Sequence, residues 1–74
     1  MFSLEVKRLR GTIKGQTQRK IFAIKAGNTE LVEEISNYLK ELHEQLYTSI
    51  DYDYYEEFCD ELDRLYLKHG VMPQ

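Results

Sequence analysis

Asp53, Glu56, Glu57, Asp60 and Asp63 place five carboxylates at spacings of three and four residues, which brings them to one side of a helix. Asp53 with Glu57, Glu56 with Asp60, and Glu57 with Glu61 are like-charged pairs four residues apart. Each such pair costs about 0.2–0.5 kcal/mol in an isolated helix. The helix dipole favours the first-turn acids, and Arg64 is within sequence reach of Asp60 and Glu61, so the cost is partly offset. Two readings fit. Either the acids are a solvated face, or they form a recognition surface for which local stability is given up. Catalysis is not a third, because carboxylates on an open helix face lack a pocket that would shift their pKa values.

The tract Tyr47 to Phe58 interleaves these acids with aromatics. Carboxylates at phosphate-like spacings occupy Arg and Lys sites built for a nucleic-acid backbone, and tyrosines add wide contact area at low entropic cost. The expected partner surface is therefore Tyr52, Asp53, Glu56, Glu57, Asp60, Asp63 and Leu67. Tyr54, Tyr55 and Tyr66 fall in the apolar arc of the same helix, which leaves Tyr47 and Tyr52 for contact. In composition the last third of the chain resembles the acidic, Tyr-bearing helices of small phage inhibitors, including some anti-CRISPR proteins of type II systems. That resemblance implies a cytoplasmic, phage- or mobile-element-encoded DNA mimic that occupies a basic, nucleic-acid-binding site on a larger protein such as a CRISPR nuclease.

The competing chemistry lies at the other end. Residues 1–26 hold seven cations against Glu5 alone, a net charge of +6, whereas residues 27–74 hold twelve carboxylates against Lys40, Arg64 and Lys68, a net charge of −9. Segregation of this kind creates a directional field that steers charged partners. Lys7, Arg8, Arg10, Lys14, Arg19 and Lys20 are the candidate nucleic-acid contacts, since a basic ribbon tracks phosphates or enters a groove. The alternatives are that these cations solubilise an edge strand and pair with the chain's own acids, or join two copies head to tail.

The remaining reactive side chains offer little. His43 borders an apolar stripe and His69 sits at a helix C-terminus. Cys59 falls on a buried helix edge with no basic neighbour in sequence to lower its pKa. No metal-ligand spacing, glycine-rich phosphate loop or nucleophile elbow is present, so neither an enzyme nor a cofactor is expected.

The elements that position these groups follow from periodicity. Phe2, Leu4 and Val6 alternate with Ser3, Glu5 and Lys7. After a stretch with Gly11 and Gly15, the run Lys20 to Lys25 is rich in β-branched and aromatic residues. This predicts a basic β-hairpin over 1–26, with a bulge near Lys7 and Arg8 because Leu9 and Ile13 break the even parity. Apolar residues from Leu31 to Leu46 recur every three to four positions and predict a helix over 28–48, N-capped by Asn28 or Thr29. A second, acidic helix is expected over 51–69, stopped by Gly70, with a tail over 70–74. The fold class predicted is α+β in the order ββαα: one layer of helices on a small antiparallel sheet. Its core would hold Val6, Phe22, Ile24, Leu31, Ile35, Leu39, Leu42, Phe58, Leu62 and Leu65.

With 74 residues there is room for one domain with a stability of a few kcal/mol. A single cysteine is the usage expected of a reducing cytosol, and a charge at the fifth residue argues against a signal peptide.

Overall fold

Ser3 opens the first element by accepting a hydrogen bond from the Val6 amide at 3.2 Å, an N-cap interaction, and Glu5 follows in the positive first turn. In the computed structural model, which describes residues 3–74, the chain that follows is a 22-residue helix, α1 (Leu4–Lys25). Helices α2 (Thr29–Tyr47) and α3 (Tyr52–Lys68) complete the molecule, and among the described residues there is no strand.

The predicted β-hairpin, and with it the α+β class, is therefore wrong. Read at 3.6 residues per turn, Val6, Leu9, Ile13, Thr17, Lys20 and Ile24 share one face of α1, and the parity break attributed to a bulge is a helical repeat. Gly11 and Gly15, taken for turn residues, sit in the helix interior, where each is less favourable than Ala by about 1 kcal/mol. Burial of Val6, Ile13 and Ile21 against the rest of the chain outweighs that penalty. Phe2, the first residue of the expected strand, lies outside the described residues.

Gly27 makes the reversal into α2 possible. Its φ of +71° suits a residue without Cβ, and the bonds Gly27 N–H to Ile24 O and Asn28 N–H to Ala23 O close a Schellman motif. Asn28 then caps α2 by accepting from the Leu31 amide at 3.2 Å. Gly70 ends α3 the same way, with Val71 N–H bonded to Tyr66 O. Between α2 and α3, the Thr48 and Ser49 hydroxyls donate back to the Gln45 carbonyl and satisfy the frayed end.

The core lies where the three helices meet: Val6 and Ile13 from α1, Ile35, Leu39, Leu42 and Leu46 from α2, Phe58 and Leu62 from α3. Ile21, Ala23 and Tyr66 are buried beside it. Of the residues expected in the core, Phe22 is 53% exposed because a helical α1 turns it outward, and Ile24, Leu31 and Leu65 are only half-buried. Tyr54, placed by periodicity in the apolar arc, is exposed as well. No described helix is long and apolar enough to cross a membrane.

Candidate functional site

The outward face of α3 carries all seven residues of the acidic candidate surface. Tyr52, Asp53, Glu56, Glu57, Asp60, Asp63 and Leu67 are each exposed, because Phe58, Leu62 and Tyr66 turn the opposite side of the helix inward. None of the five acids is ion-paired among the described residues. Arg64 does not pair with Asp60 or Glu61 as the spacing suggested. Glu61 instead turns toward α1, where its Oε2 lies 3.2 Å from Lys14 Nζ and 3.7 Å from Arg10 Nη2. That oxygen is sealed from water and takes its compensation from the two charges rather than from an aligned hydrogen bond. The Arg10 guanidinium also sits 5.1 Å over the Phe58 ring.

An aromatic ladder borders the acids. Tyr52 packs edge-on against Tyr47 with ring centroids 6.4 Å apart, Tyr47 against Tyr55 at 5.2 Å, and Tyr55 against His43 at 5.9 Å. Its outer members, Tyr47 and Tyr52, are 53% and 60% exposed. The acidic face thus joins an exposed aromatic patch at the turn between α2 and α3.

The inner end of the ladder opens into a cleft of about 320 Å³ between the three helices. Sequence reasoning missed this constellation, since Lys20, His43, Tyr55, Cys59 and Asp63 come from three separate stretches of chain. His43 Nδ1 and the Tyr55 hydroxyl are 3.0 Å apart. Burial lowers the His43 pKa, and the nearby Lys20 charge lowers it further. Tyr55 is pushed up to about 12, by burial first and then by its hydrogen bond with Cys59. Burial also pushes the Cys59 thiol up, against a lowering hydrogen bond from Tyr55, and the charges of Asp63, Asp60 and Glu56 add to the rise. A thiol held protonated is a poor nucleophile. No three His, Cys, Asp or Glu side chains among the described residues form a group able to hold a metal ion.

The six cations assigned to a hairpin are divided among different tasks by the helix that carries them. Lys20 is buried, Arg10 and Lys14 engage Glu61, and Arg19 donates to the Gln16 side chain at 3.0 Å. Lys7, Arg8 and Arg19 remain exposed on the outer side of α1, joined by Lys25. They form a ridge on a helix and not a two-stranded ribbon.

No family model, curated protein or solved structure matches this chain.

Proposed function

We propose that this chain is a non-enzymatic protein-binding module of the cytoplasm that uses the outer face of α3 to occupy a basic, nucleic-acid-binding site on a larger protein. The observation that supports the reading is the juxtaposition of five exposed, unpaired carboxylates with the exposed Tyr47–Tyr52 pair. Exposed aromatic surface of this kind is what protein contacts use, and unpaired acids beside it supply charge complementarity. Folding alone does not call for either: like-charged neighbours on α3 oppose the helix, and two tyrosines stay half in water. The likeness in composition to small phage inhibitors agrees with this reading and adds a class of partner, an enzyme that grips a nucleic-acid backbone.

The test is retention from bacterial lysate by the wild type and by Glu56→Lys/Asp60→Lys. Both positions are exposed, and the substitutions relieve like-charge repulsion, so the variant keeps its fold. A nucleic-acid-binding protein held by the wild type, lost with the variant and displaced by duplex DNA is the expected outcome. Equal retention by both proteins refutes a role for this face.

A nucleic-acid-binding role for α1 is the second reading, supported by the exposed ridge of Lys7, Arg8, Arg19 and Lys25. It requires a steep fall of affinity with salt, close to one unit of log–log slope per phosphate neutralised. Anisotropy titrations with mixed DNA and RNA at low salt separate it from the first reading.

A further inference from the structure

We propose that the cleft between the three helices binds a small organic carboxylate, with the Lys20 ammonium as its counterion and Leu39, Leu62 and Tyr66 as the wall for its apolar body. Lys20 is 6% exposed, yet it forms neither an ion pair nor a hydrogen bond among the described residues. Its compensation within the protein is the face of Tyr66, 5.8 Å from Nζ to the ring centroid. Burying an unpaired charge is costly, and a Leu or Met in this register of α1 would fill the space without that cost. A folding protein has no use for the ammonium. A site for an anion does, because a charge lining a low-dielectric cleft attracts a counterion more strongly than one in bulk solvent.

The lining narrows the ligand. Lys20, Lys40 and Asp63 share the cleft with Gln74 and with His43, whose pKa is lowered by burial. An apolar wall beside the Lys20 ammonium favours an anion with a hydrocarbon body over inorganic phosphate. The hydroxyl of Ser36 and the Tyr55–His43 pair supply polar groups at the rim. Leu39, Leu62 and Tyr66 supply the apolar part of a lining that mixes apolar and polar groups. The site borders the outer face of α3, with which it shares Asp63, but does not depend on the protein-binding reading.

Amide-resolved NMR titration of the full chain with benzoate and octanoate tests the proposal, with benzamide and inorganic phosphate as comparisons. Expected are saturable shifts at millimolar carboxylate, centred on Lys20, Leu39 to His43, and Cys59 to Tyr66. Benzamide should bind about tenfold more weakly or worse, the loss that goes with a charge-assisted hydrogen bond. Lys20→Met, which keeps the stem and removes the charge, should lose about the same factor, while Glu56→Lys/Asp60→Lys binds like the wild type. Absence of saturable shifts with both carboxylates overturns the proposal. So does equal binding by Lys20→Met, equal binding of benzamide, or tighter binding of phosphate than of benzoate. The comparison of benzoate with benzamide uses only the wild type, so the outcome does not hang on the variant's folding.

Discussion

Glu61 reaches from α3 to Lys14 on α1 at 3.2 Å, so the two helices that are farthest apart in sequence are tied by charge directly beside the Phe58 ring. The carboxylate is therefore spent on the fold, unlike its five neighbours on the outer face. Both side chains remain about half exposed, at 41% for Glu61 and 50% for Lys14, which limits what the pair contributes to about 0.2–1 kcal/mol. Glu61→Gln should lower stability by that amount in urea melts, and a double-mutant cycle with Lys14→Met should return most of it as coupling. The coupling should shrink in about 1 M salt, where the Debye length is about 3 Å. A cycle with no coupling at low salt would show that the contact does not hold α3 in place.

The helical α1 makes a forecast opposite to that of a hairpin. A Cβ added at Gly11 or Gly15 meets nothing within 4 Å, and both residues lie in the helix interior. Gly11→Ala and Gly15→Ala should each stabilise the protein by about 0.4–1 kcal/mol. In a turn the same changes would be neutral or harmful. Ile13→Ala, at a fully buried position, should cost about 2–5 kcal/mol, whereas Phe22→Ala should stay within about 0.5 kcal/mol because that ring is half in water. Denaturation midpoints for the four variants check the set. The reverse ordering of Ile13 and Phe22 would restore the strand assignment.

How much of this was legible in the sequence differs between the ends of the chain. From Leu31 to Leu46 apolar residues recur with a helical period, and Ile35, Leu39, Leu42 and Leu46 are the buried residues of α2. In α1 the inward positions include Thr17 and Lys20, while Leu4 and Phe22 point outward. The apolar pattern is diluted on both sides, and two glycines and a β-branched run then read as turn and strand. Tertiary packing overrode those propensities. The parity conflict at Val6, Leu9 and Ile13 was the available signal: spacings of three and four make one face of a helix without any bulge. For the acidic surface, spacing alone placed the carboxylates together. The cleft is different, since Lys20, His43 and Cys59 meet only once the helices are packed, and no local spacing encodes that meeting.

The cleft also makes stability depend on pH. His43 sits among Lys20, Lys40, Tyr55 and Asp63, with Glu44 on the outer side, and its folded pKa lies below the usual 6.5, mainly through burial and secondarily through Lys20. The unfolded chain therefore takes up a proton near pH 6.5 while the folded protein still resists it. Within that window the unfolded state binds more protons, so stability is full above about pH 6.5 and falls as pH drops toward the folded pKa, where the loss levels off. Urea midpoints at about pH 7.5, 6.5 and 5.5 should decline in that order for the wild type, ahead of the carboxylate titrations that dominate lower pH. His43→Gln should start lower, having lost the native contact with Tyr55, but should show a flatter profile across the same range. Lys20→Met should reduce the slope only in part, because burial remains when the repelling charge is gone. A wild-type profile that is flat from about pH 7.5 to 5.5, or a His43→Gln profile as steep as the wild type's, would mean that His43 titrates alike in the folded and unfolded chain.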